Sequence, residues 1–474
     1  MSETVLKSIT LSISFLGLLF VVFFFLKQKY NYALLLLILA GITLRIYTSN
    51  DKYLHKWDER YHALVAKNMM EEPFVPKLYK NPVLNYDYKN WTGNHIWVHK
   101  QPFPLWSIAL SFKLFGVNEL ALRLPSIILT SIAIFLTFYI GSFFFNKRVG
   151  IIAAFFYAVN GLIIEMSAGR IATDHPDVFF LFFIELAVFF SVLYIKKQKT
   201  IFNILVGLSI GIAILCKWLP ALIVLPIWAL LMLQNKASYK KIALNFILIV
   251  SVATIIFMPW QIYIHNAFPL EAKWESAYNM KHIFEVLDEQ GGSLFFFLEK
   301  ITINYGALIY LPLAFLIYKF FKNKENYHLL ALIIWIFVPI IFFSLVKTKM
   351  QGYILFTAPA LFIATAYFWE ELNNWQIKGK LKYLQKILLI ALLVLPIIYC
   401  IERTKIFQNK DRTPAWVQEL KKIENENENL VLINCPNPIE TMFYANCIAY
   451  SHIPTKEEID KLEKEGYTVL RYND

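Results

Sequence analysis

Long apolar runs alternate with short polar links over most of this chain. The hydrocarbon layer of a bilayer is ~30 Å thick and takes ~20 helical residues to cross. Runs of about that length recur near residues 8–26, 31–47, 122–145, 150–168, 177–195, 201–216, 219–233, 242–260, 303–320, 327–345, 352–368 and 387–401. The pattern predicts an all-α polytopic membrane protein with about twelve transmembrane helices. Two polar stretches break the rhythm, at 48–121 and 261–302, and the chain turns polar again from 402. That tail passes through Glu424-Asn425-Glu426-Asn427-Glu428-Asn429 into the apolar run Leu430-Val431-Leu432-Ile433. Thr455 with Glu458 three residues on predicts a capped helix, and Tyr467-Thr468-Val469-Leu470 a closing strand. The expected organisation is a membrane unit over 1–401, with outer loops 48–121 and 261–302, followed by a small α/β domain over 402–474.

Composition supports the membrane reading. Of the 474 residues 58% are apolar and only 17% charged, against nearly half and a quarter in soluble domains. A soluble enzyme, a nucleic-acid-binding module and a disordered chain are excluded. The net charge of +12 does not point to nucleic acid, because the basic residues sit in links between apolar runs. One set of links holds Lys27/Lys29, Lys147/Arg148, Lys196/Lys197/Lys199, Lys236/Lys240/Lys241, Lys319/Lys322/Lys324 and Lys378/Lys380/Lys382/Lys386. The opposite short links hold only Arg170, Lys217 and Lys347/Lys349. The positive-inside rule assigns the first set to the cytoplasm, so both long loops and the tail are expected outside. Lys27-Gln28-Lys29 follows the first run where a cleavage site would stand, so no cleavable signal peptide is expected. Cys435 and Cys447 are left open between a disulfide and two free thiols.

The ionisable residues gather at outer span ends and in the first outer loop. A transporter would place them in mid-membrane on broken helices. Trp57-Asp58-Glu59-Arg60-Tyr61 follows the second span. Adjacent carboxylates above a membrane suit a general base that takes a proton from an attacking hydroxyl or amine; they equally suit a solvated helix start. Lys100, at the head of the aromatic stretch Phe103–Phe115, is placed to meet a lipid phosphate or to anchor the chain at the interface. Arg170, Lys217 and Lys349 end spans on the same side, where fixed cations would stabilise a phosphate leaving group; each alone could be a snorkelling anchor. Asp174 is expected either to shape the site or simply to pair with Arg170.

These residues resemble a known family. Asp58-Glu59 after the span ended by Arg45, Lys100-Gln101-Pro102, Leu114-Phe115-Gly116 and Arg123-Leu124-Pro125-Ser126 are similar to GT-C glycosyltransferases of the protein mannosyltransferase and aminoarabinose transferase group. The likeness continues at Gly169 to Pro176, Gly211 to Lys217, Pro259-Trp260, Lys349 to Tyr353 and Pro359-Ala360, in order from residue 45 to about 360. The chain departs from the pattern at Gln101, where the family has a second proline, and at Ile354-Leu355, where it has Leu-Pro.

The resemblance implies transfer of a sugar from a polyprenyl-phosphate donor to an acceptor (lipid A, protein or glycan), with inversion, on the outer face of the cytoplasmic membrane. It makes Asp58 the catalytic base with Glu59 beside it. Lys100 and Tyr353, with Lys349 or Lys347 nearby, would meet the donor phosphate, and Arg170 and Asp174 would form a buried polar pair. Lys217 joins the expected phosphate side and Arg45 the residues that shape the site, while His265 is expected either to orient the site or to sit in the interfacial belt. No cofactor is firmly implied and a divalent cation stays open. The expected partners are the polyprenyl-phosphate sugar, a lipid or protein acceptor and the membrane, with no nucleic acid. Rival readings are an oligosaccharide ligase or polymerase of the same fold, and a lipid or sugar transporter.

Overall fold

The computed structural model describes residues 3–472 except 173, 407, 409, 410, 424–428 and 446. The acidic, Asn-rich patch of the tail lies almost wholly outside the described residues. The chain opens with α1 (Glu3–Leu26) and α2 (Tyr30–Thr48), followed by the loop helices α3 (Asp58–Asn68) and α4 (Pro102–Phe115). Next come α5 (Glu119–Phe144), α6 (Lys147–Ala158), α7 (Gly161–Ser167), α8 (Asp174–Lys197), α9 (Thr200–Lys217), α10 (Val224–Gln234) and α11 (Tyr239–Ala267). The second long loop carries α12 (Pro269–Phe284), and α13 (Phe296–Tyr305), α14 (Tyr310–Lys322), α15 (Tyr327–Leu345), α16 (Ala358–Asn374) and α17 (Leu381–Thr404) complete the bundle. The tail adds α18 (Ala415–Lys422), β1 (Leu430–Ile433), α19 (Pro438–Tyr444), β2 (Ile448–Ala449), α20 (Lys456–Lys464) and β3 (Thr468–Arg471).

Each of the twelve membrane-length apolar runs is helical, but the expected twelve spans are not twelve straight helices. Among the described residues nine helices are long and apolar enough to cross a membrane, or eleven if each of two bent pairs is one span. The run at 150–168 bends by 51° between α6 and α7. There Asn160 leaves the helix and its side chain caps the next one through Ile163 N. The run at 303–320 bends by 111° between α13 and α14, where Gly306 sits at φ 105°, a backbone open mainly to glycine. The run at 219–233 is a shorter apolar helix, Leu219–Gln234, that starts as a 3₁₀ turn. Within the bundle α8 and the segment Gln351–Asn374 are central, 72% and 83% buried, while α11 and α17 form the rim at 11% and 17%. Gly207 and Gly211 let α9 meet α11 backbone to backbone: a Cβ on either would stand 2.6 and 2.9 Å from the carbonyls of Ile249 and Ala253. That small-residue spacing is how helices pack closely in lipid.

Outside the bundle, the first long loop and the tail share one core. Leu54, Leu64, Trp97, Ile108 and Phe112 of the loop pack with Val417, Val431, Ile439, Phe443 and Leu462 of the tail. The tail sheet is parallel, in the order β2-β1-β3, with Val431 paired to Ile448 and to Val469. Thr455 and Glu458 form the reciprocal cap of α20. Cys435 and Cys447 are free thiols. Polar contacts tie tail to loop. The Tyr444 hydroxyl accepts from Leu54 N (2.9 Å) and donates to Glu119 Oε1 (2.9 Å). Arg60 pairs with Glu440 at 3.1 Å, and Lys67 donates to the carbonyls of Met442 and Phe443. The tail thus holds α3, the helix that begins with the two adjacent carboxylates.

Candidate active site

The chain enters α3 through Trp57, an N-cap residue at φ 77°, ψ −135°. A bulky side chain in that region costs ~1–3 kcal/mol and persists only where surrounding structure imposes it. Asp58 and Glu59 then fill the first helical turn, where the macrodipole favours negative charge. Consecutive helical residues point ~100° apart, and this separates the two carboxylates. Glu59 turns inward and is fully buried. Arg123 grips it at 2.7 Å (Nε to Oε1) and 2.9 Å (Nη2 to Oε2), and both the backbone N–H and Nδ1 of His55 lie 2.7 Å from Oε2. Burial alone would raise its pKa, but Arg123 and His55 hold the carboxylate well below the usual range. Gly169, at φ 70°, packs onto it so closely that a Cβ would fall 1.9 Å from Oε1. Glu59 therefore faces protein on every side and supports the turn behind Asp58.

Asp58 turns to the open side. Its Oδ2 lies 3.4 Å from Lys100 Nζ, and both side chains keep some exposure, 13% and 21%. Lys100 stands just before α4, whose Pro102 at the first helical position leaves no N–H unpaired there. Burial pulls the lysine's pKa down, but Asp58, Glu275 and Asp177 outweigh it and raise it above the usual lysine value. Lys217 ends α9, ion-paired with Asp177 of α8, and its ammonium lies 4.5 Å from the centre of the Tyr353 ring. Trp218 beside it repeats the left-handed backbone of Trp57, at φ 71°. The field at Lys217 includes both Lys100 and Asp58. Asp58, Lys100, Asp177, Lys217 and Tyr353 thus form one electrostatic group at the end of the bundle, drawn from α3, the first long loop, α8, α9 and the turn before α16.

The other expected residues are placed elsewhere. Arg170 donates to Asp51 Oδ2 (3.0 and 3.1 Å) and to the carbonyls of Thr48 and Thr404. It belongs to a layer behind Glu59, linked through Asp51 and His55, and is not joined to Lys100. Its expected pairing with Asp174 is not formed, because Asp174 instead meets His62 Nδ1 at 2.9 Å. Arg45 is buried inside the bundle and bonds Thr130 Oγ1 at 2.8 Å and the carbonyl of Gly41 at 3.0 Å. Lys349 folds back onto the carbonyl of Val346, and its backbone N–H bonds Gln290 O at 2.8 Å. His265 is exposed at the corner of α11 and α12, with Gln261 O at 2.8 Å. The histidine that reaches across the two long loops is His99, 2.9 Å from Glu275, stacked on Trp91 at 4.4 Å.

Three contributors are not among the expected site residues. Arg123 carries no mark of burial in its motif. Asp177 lies three residues beyond Asp174, one turn along the same helix face. His62 shares the face of Asp58 through its i+4 spacing. One carboxylate also breaks the rule that ionisable groups stay at span ends: Glu185, within α8, is fully buried and accepts from the Thr137 hydroxyl. Among the described residues no group of three or more His, Cys, Asp or Glu side chains is disposed to hold a metal ion.

The fold is of the GT-C class. ArnT from Cupriavidus metallidurans, solved bound to undecaprenyl phosphate, superposes with a TM-score of 0.66 at 14% identity, over 92% of this chain and 89% of that one. The archaeal oligosaccharyltransferase AglB from Archaeoglobus fulgidus, in complex with an inhibitory peptide and a dolichol-phosphate, gives 0.63 at 15% identity, over 94% and 70%. The dolichyl-phosphate-mannose-protein mannosyltransferase family model matches residues 99–263. An undecaprenyl phosphate-α-4-amino-4-deoxy-L-arabinose arabinosyl transferase of Pseudomonas fluorescens is 26% identical over 281 residues, 56% of this chain. The chain spans about half of that relative's length, 49%. Fold and sequence matches point the same way as the motifs: this is a GT-C membrane protein that resembles the protein mannosyltransferase and aminoarabinose transferase group.

Proposed function

We propose that the chain is a multi-pass glycosyltransferase of the cytoplasmic membrane, moving a sugar from a polyprenyl-phosphate donor to an acceptor on the outer face. The observation that carries the reading is the pairing of Asp58 with Lys100 beside the Lys217–Asp177 pair. A base and two ammonium groups meet where the bundle ends and the loops begin. In an inverting transfer the acceptor's oxygen or nitrogen attacks the anomeric carbon, and Asp58 takes its proton. Negative charge grows on the departing phosphate, and Lys100 and Lys217 stabilise it without having to reorganise. The orientation rests on the basic links, which favour a cytoplasmic location opposite to this site. The amino sugar and lipid carrier in the relatives' names make a 4-amino-4-deoxypentose on undecaprenyl phosphate the first donor to try.

The test is mass spectrometry of envelope glycolipids and glycoproteins from cells making wild type or Asp58→Asn at matched levels. Loss of one sugar-sized mass from an acceptor, with donor accumulating, is expected. Loss of a whole glycan block would point to the ligase reading, and no change in any species would refute Asp58 as the base.

A further inference from the structure

One turn along α3 from Asp58 lies His62, fully buried. Residues four apart on a helix share a face, with Cβ atoms ~6 Å apart. His62 Nδ1 is 2.9 Å from Asp174 Oδ1. The ring stands edge-on to Trp97 at 5.9 Å and to His175 at 6.3 Å between centroids. Among the described residues, neither His62 Nε2 nor Asp174 Oδ2 meets a hydrogen-bond partner, and both are shut from solvent. Native interiors rarely leave such atoms unpaired. A histidine kept for packing alone could be an apolar ring with no orphaned nitrogen. An Asp–His pair with the far nitrogen open is instead the arrangement that accepts a proton, the carboxylate orienting the imidazole and offsetting its charge.

We infer that His62, oriented by Asp174, carries away the proton that Asp58 collects during transfer. The inference rests on the transferase reading. As the acceptor bonds to the anomeric carbon, the bond from that carbon to the phosphate oxygen breaks. The electron pair stays on the polyprenyl phosphate and the acceptor's proton goes to Asp58. That proton then passes to the Nε2 lone pair of His62, directly or through one water, giving an imidazolium beside Asp174. Asp58 is thereby restored as a carboxylate for the next turnover, and the proton leaves when product does. The charged and titratable groups facing His62 are Asp58 and Glu59 on its own helix, Lys100 from the loop, and Asp174, His175 and Asp177 from α8. Burial holds the imidazole down to about 4, so it waits uncharged at neutral pH and holds the proton only in passing. His62 acts through Asp58 and is a positioning and relay residue.

The experiment compares wild type, His62→Gln and His62→Ala in membranes supplied with lipid A and either undecaprenyl-phosphoryl 4-amino-4-deoxy-L-arabinose or undecaprenyl-phosphoryl mannose. His62→Gln keeps a group that can bond Asp174 but cannot carry the proton. We expect kcat to fall about tenfold or more at unchanged donor KM, with an altered pH–rate profile. Millimolar imidazole should partly restore His62→Ala. An unchanged kcat and pH profile in His62→Gln overturns the inference. A raised donor KM with no rescue by imidazole also overturns it, since that is what a packing role produces. If wild type transfers no sugar at all, the transferase reading itself falls and takes this inference with it.

Discussion

Arg123→Met removes the buried cation that holds Glu59. The guanidinium is fully buried and holds both Glu59 oxygens, and it also donates to the carbonyls of Ser49 (2.9 Å) and Tyr53 (2.8 Å). It therefore fixes the path from α2 to α3 as well as the charge of Glu59. Removing one partner of a buried pair costs ~3–5 kcal/mol, because the other charge is stranded in a dry site. Unfolding entropy near 2.1 cal/mol/K per residue over 474 residues is about 1 kcal/mol/K, so the midpoint should fall by about 3–5 °C. The assay is thermal unfolding in detergent, run alongside Glu59→Gln and the double variant. With the charge removed by Glu59→Gln, losing Arg123 should cost far less than it does alone.

The pH dependence gives the same reasoning a second, signed check. In wild type the folded pKa of Glu59 is depressed. Its stabilisation is then complete above the unfolded value near ~4.3 and is lost as pH falls from there through the folded value. In Arg123→Met the same carboxyl keeps its burial without its main partner, so its folded pKa should rise. That contribution opposes folding at high pH and fades as acid neutralises the group. The variant's deficit should therefore narrow between pH 8 and pH 5. Additive single and double variants, or a deficit that is flat with pH, would refute the coupling of Arg123 to Glu59.

Three further outcomes are expected. Asp58→Asn should abolish transfer while moving the unfolding midpoint by no more than about 1 °C, since partly exposed ion pairs are worth only ~0–1 kcal/mol; a large loss of stability would make Asp58 structural. Lys217→Gln should weaken binding of undecaprenyl phosphate by roughly 10–100-fold, as a charged hydrogen bond worth ~1.5–3 kcal/mol predicts, and equal affinity by isothermal titration would remove Lys217 from the phosphate side. Tyr444→Phe strands Leu54 N and takes a hydrogen bond from Glu119 at a cost of ~1–3 kcal/mol, so hydrogen exchange should rise over residues 54–68 and not in the bundle; unchanged exchange there would show that the tail does not hold α3.

What the sequence shows of this fold depends on how local the cause is. Crossing lipid requires a run of apolar residues, so each helical run is visible by length alone. The bends at Asn160 and Gly306 follow from single residues inside those runs, which a hydropathy window averages away. Gly207 and Gly211 look like ordinary apolar filler until α11 lies against them. The shared core of loop and tail joins Leu54 to Tyr444, a pairing that no local pattern encodes. Glu185 is similarly hidden, one carboxylate among phenylalanines and leucines whose partner, Thr137, lies on another span. Asp58 and Lys100, the pair on which the proposed site rests, are legible because their motifs carry the resemblance. Arg170 shares the span-end position of Lys217, and only the packing of α7 and α17 around it turns it to Asp51.

The two adjacent carboxylates show why a motif is a better guide to a location than to a role. In a helix, neighbours cannot share an environment: if one points into the protein, the next points ~100° away. A helix beginning at the rim of a bundle must therefore bury one member of an Asp-Glu pair and present the other. The shorter side chain is the one presented here, next to Lys100, while the longer reaches inward to a buried arginine. Burying Glu59 would be prohibitive unpaired, and the arginine that satisfies it also ties down the strand of chain leading to Trp57. The left-handed backbone at Trp57, the buried pair beneath it and the tail packed behind α3 all act on one quantity, the position of the Asp58 carboxylate relative to Lys100 and Lys217. A transfer reaction is sensitive to that position, because misplacing reacting groups by ~1 Å can cost on the order of 10²-fold in rate. Substitutions at Arg123, Glu59 or Tyr444 should thus lower kcat even when they leave every group of the open site chemically intact.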